Sequence, residues 1–175
     1  MNHKIITAAF LFSAMSAPAV MAADGTINFV GEVTDAACVV DTNSQNLTVT
    51  LGKVSSSAFT GTGSTAAPTK FQLILKDCPV GASKAVVKFD GTNVAGDNSM
   101  LALTSGADTA KGVAIQLSDA TQQVVKLFES SQPYTLVTGT GSNNNLDFVA
   151  RYKAIDNNVT AGIANASAQF TIVYQ

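Results

Sequence analysis

The chain has 175 residues with 10 basic and 12 acidic side chains, one histidine and two cysteines, and only 13% of it is charged. A slightly acidic chain without a Lys/Arg cluster has no stripe on which to hold a phosphate backbone, which excludes nucleic acid as a partner. Abundant Ser, Thr, Asn, Gly and Ala describe a neutral polar surface instead.

At the start, Lys4 precedes a mostly apolar run from Ile5 to Met15, broken only by Thr7 and Ser13. Val20, Met21 and Ala22 fit a cleavage site before Ala23, so residues 1–22 are expected to be a signal peptide. The run falls short of the roughly 18 apolar residues that a membrane span needs, and no later segment reaches that length, so no membrane insertion is expected. The mature chain is then residues 23–175, long enough for one domain. Loss of Lys4 leaves it 9 basic and 12 acidic side chains, a net charge of −3.

Strand-like runs follow in order. Residues 26–33 alternate, with Ile27, Phe29, Gly31 and Val33 on one face. Residues 47–51, 71–76, 85–89, 113–117, 124–127 and 146–154 are the next predicted strands. Residues 55–69, 90–99 and 139–145 are rich in turn formers and predict loops. Short strands separated by such clusters predict an all-β antiparallel sandwich, and no segment carries a helical period. The last run is the longest. In residues 163–175, Ala164, Ala166, Ala168, Phe170, Ile172 and Tyr174 share one face. Asn165, Ser167, Gln169, Thr171 and Gln175 share the other, and only Val173 breaks the pattern. Successive strand residues face opposite ways, so this is a half-buried strand, and it must pair or leave a row of open backbone groups.

Little in the chain supports catalysis. The one histidine, His3, leaves with the signal peptide, which removes imidazole as a base or metal ligand. In an exported chain Cys38 and Cys78 are expected to form a disulfide, worth about 4 kcal/mol in the chain-entropy model. That pairing takes thiolate chemistry away as well. Asp90, Asp97, Asp119 and Asp156 lie in turn-like contexts, where the carboxylate caps the local backbone. The two Gly-Thr-Gly-Ser stretches at 61–64 and 139–142 lack the strand–loop–helix setting of a phosphate loop. The residues therefore predict no enzyme, no cofactor and no metal.

Three stretches carry a resemblance. Residues 29–38 read Phe-Val-Gly-Glu-Val-Thr-Asp-Ala-Ala-Cys, and residues 71–78 read Phe-Gln-Leu-Ile-Leu-Lys-Asp-Cys. At the end, Gly162 is fourteenth from the C-terminus, Tyr174 is penultimate, and Arg151-Tyr152-Lys153-Ala154 precedes them. In this register the chain resembles the pilin subunits of the bacterial chaperone–usher pathway, closest to major subunits of type 1-like fimbriae. The stretch before Ile27, only residues 23–26, is shorter than in many shaft subunits of that kind.

The resemblance implies an incomplete immunoglobulin-like β-sandwich with one disulfide, lacking its last strand and completed by donor-strand complementation. It implies a donor extension over residues 23–35 and a pilin domain over 36–175. The donor residues would be Ile27, Phe29, Gly31 and Val33, with glycine suited to a shallow pocket. Gly162, Ala164, Ala166, Ala168, Phe170, Ile172, Tyr174 and Gln175 would border the groove and meet a periplasmic chaperone. Read without the resemblance, Gly31 is a bulge or close backbone approach. Gly162 is then a turn glycine, and the large residues of the last strand are plain core. The implied partners are identical or homologous subunits, the chaperone and an outer-membrane usher; the implied place is a surface fimbria. A minor adaptor or tip subunit, a sugar-binding adhesin and a free-standing periplasmic sandwich are the competing readings.

Overall fold

The computed structural model describes residues 25–31, 33 and 37–175. The signal peptide expected over residues 1–22 lies outside them. Two units divide at Val33/Thr34, and the helices and strands found among the described residues lie in the second.

Among its described residues that unit has nine strands: β1 (Val39–Val40), β2 (Thr65–Lys76), β3 (Lys84–Gly91), β4 (Asn93–Val94), β5 (Asp97–Leu101), β6 (Val113–Asp119), β7 (Tyr134–Thr135), β8 (Asn143–Ala154) and β9 (Ala168–Tyr174). A four-residue helix, α1 (Thr42–Gln45), follows β1. Six strands form one sheet in the order β1-β2-β8-β6-β5-β4, and three form another in the order β7-β3-β9. All ladders are antiparallel.

Alternation explains the faces. In β2, Phe71, Leu73 and Leu75 turn inward, paired across the ladder with Phe148, Leu146 and Asn144 of β8. β6 is central and buried at every position, including Gln116 and Ser118 on its outer face. It ends where the Asp119 carboxylate accepts bonds from the N–H groups of Thr121 and Gln123 (2.8 and 3.0 Å), a side-chain cap on the turn. Between the sheets, Phe148 is fully buried against Phe71, Phe89 and Tyr134, with ring centroids 5.1–5.7 Å away for each pair it makes. Burying a ring of this size contributes about 1.5–3 kcal/mol.

The Cys38–Cys78 disulfide closes one end of the sandwich, with both cysteines in the core. The Cys78 N–H donates to Ser142 Oγ (2.8 Å), and its carbonyl accepts from the Gly139 N–H (2.7 Å). Buried Asn144 exchanges two bonds with the Val137 backbone (2.7 and 2.9 Å), pinning the neighbouring loop.

Several expectations shift. The loop predicted over 55–69 gives its last five residues to β2, which takes a bulge between Ala66 and Thr69 around Pro68. The turn region 90–99 contains the β4–β5 hairpin, and Asp90 is a strand residue opposite Gln169. Residues 124–127 form no strand; Val124 makes only an isolated bridge to Ser118. β8 begins at Asn143, inside the predicted loop 139–145. The final strand begins at Ala168, not Ile163. Residues 26–31 and 33, for all their alternation, form no strand among the described residues, and residues 47–51 join no ladder.

Candidate interaction groove

Among the described residues β9 is bonded on one side only, to β3. Gln175 and Lys84 exchange both backbone hydrogen bonds (2.8 and 3.0 Å). Bonded pairs alternate along an antiparallel ladder, so Val173, Thr171 and Gln169 also turn their backbone toward β3. Phe170, Ile172 and Tyr174 must then direct N–H and C=O groups to the free edge. Their side chains, half-buried, pack on the core. This edge is unguarded: the sequence from Ala168 to Tyr174 has no proline and no charge. The outer edge of β2, by contrast, is blunted by Pro68, the bulge and Lys70, the usual devices against stray strand pairing.

Facing that edge is the chain that follows α1. Asp41 caps α1, accepting from the Asn43 N–H (2.9 Å), and binds Lys76 at 2.6 Å. The Lys76 ammonium holds the Asp41 carboxyl below its ordinary range. Ser44 Oγ accepts from the Ile74 N–H (2.9 Å), and the Asp41 N–H donates to the Ile74 carbonyl (2.9 Å). Beyond these anchors, residues 46–54 make no backbone–backbone hydrogen bond among the described residues. Val49, Leu51 and Val54 nevertheless pack, half-buried, against the core.

Between the two walls lies a cleft of about 830 Å³. Residues 45–51 line one side and 166–171 the other; Phe71, Leu73, Phe89, Ile115 and Leu117 are among its floor residues. A second cleft of about 480 Å³ continues the same two walls, with Gly52, Val54 and Phe59 facing residues 159–165. Together they make a groove along the seam of the sandwich. Both of its walls present backbone groups with no backbone partner among the described residues. The arrangement lacks one strand.

The end away from the disulfide is fastened differently. Residues 160–163 lie along residues 108–111, with the Ile163 N–H on the Asp108 carbonyl (2.7 Å) and the Ala110 N–H on the Ile163 carbonyl (3.0 Å). Gly162 sits in that contact. A Cβ there would stand 2.5 Å from the Asp108 oxygen and 2.7 Å from the Thr109 carbonyl carbon. Close backbone approach, and not merely a turn, is therefore what glycine supplies. Tyr152 donates to the Ala164 carbonyl (3.2 Å), and the Thr104 N–H to the Asn165 carbonyl (2.7 Å), so residues 164–167 are held although they join no ladder.

The predicted wall residues thus come together. Ala164, Ala166, Phe170, Ile172 and Tyr174 pack on the core, and Ala168 lines the cleft. Burial raises the Tyr174 hydroxyl above its ordinary pKa, and that hydroxyl lies 3.4 Å from the Cys38 carbonyl, at the disulfide end. Gln175 is exposed, with its backbone bonded to Lys84. In the other unit, Ile27, Phe29 and Val33 are 79%, 92% and 101% exposed, and no heavy atom lies within 4 Å of a Cβ built on Gly31. The opposite wall, Val49, Leu51 and Val54, was not recognised from sequence as part of a site. Its signal was an alternating run in a β-rich chain, which does not say that the run lacks a partner.

Comparison with known proteins decides the family. A family model described as "Fimbrial protein" matches residues 27–175. This chain belongs to the fimbrial protein family. A fimbrial subunit type 1 of Salmonella typhimurium is 38% identical over the whole of both chains. An S-fimbrial subunit of Escherichia coli is 40% identical over 99% of this chain and 97% of its own. Among solved structures, a type I fimbria protein of Burkholderia pseudomallei superposes with a TM-score of 0.61 at 39% identity, over 86% of this chain and 97% of that one. A chaperone–usher pilus subunit superposes with a TM-score of 0.67 at 26% identity, over 91% and 100%. The fold is thus the pilin fold: all-β, immunoglobulin-like and carrying a single disulfide. The chain is a subunit of chaperone–usher type fimbriae.

Proposed function

We propose that this fimbrial subunit polymerises by donor-strand exchange, with residues 27–33 of one copy filling the groove of the next. The observation that carries the reading is a strand-wide gap whose two walls, β9 and residues 46–54, both offer unpaired backbone to whatever enters. An added strand gains main-chain hydrogen bonds on each side and specificity from alternate side chains seated below. Residues 26–33 have the matching period, with Ile27, Phe29, Gly31 and Val33 on one face. They also leave their apolar side chains in solvent, which a chain does at a cost unless a partner covers them.

An antiparallel entry beside β9 completes the immunoglobulin-like order. It puts Ile27 near Tyr174 and carries Val33 toward Gly162, where the second cleft lies. The donor then leaves one subunit at the end away from the disulfide and enters its own domain at Cys38. Such a head-to-tail contact does not close on itself and generates an open filament. Before polymerisation the same gap exposes apolar floor and strand edge, an aggregation hazard. A periplasmic chaperone strand lying along residues 162–175 relieves it, and an outer-membrane usher is where the exchange occurs. The fibre is a structural element of the cell surface that supports adhesion.

Deleting residues 23–33 tests the reading. The shortened subunit should still be recovered bound to its chaperone but should add no further copy. Normal fibres from that variant would refute the donor assignment.

A further inference from the structure

We infer that the Cys38–Cys78 disulfide is a tension bypass, which keeps a pull on a subunit's donor segment from dismantling that subunit's own groove. The inference rests on the donor-strand reading above. In a fibre under load, force would enter each domain through the chain just before Cys38 and leave through the two groove walls that grip the next donor. One of those walls, residues 46–54, follows Cys38 directly in sequence. What holds it in place is slight. β1 contributes two paired residues, and α1 has four residues. Asp41 contributes its bonds to Ile74 and Lys76, and Ser44 one bond to Ile74. Residues 46–54 themselves add no backbone–backbone bond among the described residues.

Without the disulfide, tension at residue 37 acts on this series from its end. β1 would shear from β2, α1 would unwind, and the wall would be drawn out of the groove, freeing the donor it holds. Failure at one junction would thus become failure at the next. With the disulfide in place, the pull passes at Cys38 into Cys78. That residue is fully buried, bonded through its N–H to Ser142 and through its carbonyl to Gly139. It also follows directly on β2, the 12-residue strand laddered to β8 along nearly its whole length. Residues 39–64, which include the wall, are then no longer pulled from their Cys38 end, and the wall bears only the load of the donor that it grips.

The test holds fibres of the full mature subunit at constant force and measures junction lifetime, with the disulfide intact and after reduction of assembled fibres. A Cys38→Ser/Cys78→Ser subunit refolded around a donor peptide serves as a second form that avoids incomplete reduction. Peptide release at zero force is measured in parallel. We expect removal of the disulfide to shorten lifetime under force by about tenfold or more, about 1.4 kcal/mol at the barrier, with release at zero force changed by less than about threefold. Equal shortening with and without force would mean that the bond only stabilises the fold, and would overturn the proposal, as would unchanged lifetimes. Fibres that form without residues 23–33 would instead sink the donor reading, and this proposal with it, whatever the force data.

Discussion

Gly162→Ala places one methyl group against backbone that cannot yield by rotating a side chain. The added carbon would lie 2.5 Å from the Asp108 oxygen and 2.7 Å from the Thr109 carbonyl carbon, well inside van der Waals contact. Residues 160–163 and 108–111 would have to part, straining the two bonds nearest the glycine, Ile163 N–H to Asp108 at 2.7 Å and Ala110 N–H to Ile163 at 3.0 Å. Overpacking typically costs about 1–3 kcal/mol and each weakened bond about 1 kcal/mol, so a loss of about 3 kcal/mol is expected. For a domain of this size that lowers Tm by roughly 6–12 °C. The assay is thermal and denaturant unfolding of subunit complemented with a peptide of residues 23–35, which avoids aggregation of the open form. The same substitution frees residues 163–167, so peptide affinity should fall together with stability. A Gly162→Ala subunit with an unchanged midpoint would show that the contact with residues 108–110 tolerates a side chain, and the reasoning from close approach would fail.

Three further outcomes follow from the groove. Ala166→Leu inserts bulk into the 830 Å³ cleft from a wall position; donor-peptide affinity should drop at least tenfold, about 1.4 kcal/mol. Unaltered peptide binding would remove Ala166 from the groove. Tyr174→Asp puts a charge at a half-buried position beside Cys38; soluble chaperone-bound subunit should fall several-fold in periplasmic extracts, and an unchanged yield would count against the role of this end of β9. The third concerns alkaline pH. Burial pushes the Tyr134 hydroxyl up to about 12 and also raises Tyr152 and Tyr174. Folded pKa values above the unfolded value of about 10 mean that these neutral phenols support the fold fully below pH 10, and that the support is lost as pH rises toward 12. Denaturant midpoints should therefore hold to about pH 9 and decline by pH 11, in step with tyrosinate absorbance; a flat profile would contradict the burial argument.

The strands that sequence made legible are those whose alternation coincides with a partner. Phe71, Leu73 and Leu75 read correctly because β8 offers Phe148 and Leu146 opposite them. Residues 124–127 looked similar yet form no strand: Val125 and Leu127 reach the core through single bonds to Leu117 and Asn98, which period-2 patterning cannot distinguish from a ladder. The bounds of β2 and β8 were drawn short because Ser, Thr, Ala and Asn mark loops in isolation, whereas here the ladder between the two strands continues through them. The disulfide was legible from compartment alone. The wall over residues 46–54 was not, because periodicity records which side chains seek the core and is silent about where the backbone bonds go.

That distinction also explains the last run of the chain. Alternation treats Ala164, Ala166 and Ala168 as equal to Phe170, Ile172 and Tyr174, since all six are apolar and all six face one way. Packing does not treat them as equal. At the disulfide end, Ile172 and Tyr174 fill the space beneath the edge with their own side chains, and neither lines the 830 Å³ or the 480 Å³ cleft. Along residues 159–171, where the inward residues are mostly alanines, the space is left open. Half of the strand therefore completes the core while the other half withholds volume from it. A half-empty face would be a defect in a finished sandwich, costing cavity energy with each missing methylene. It is a fitted recess if Phe29 and its neighbours arrive from another copy. Side-chain size along one face, added to its period, is what separates an ordinary terminal strand from the wall of a groove.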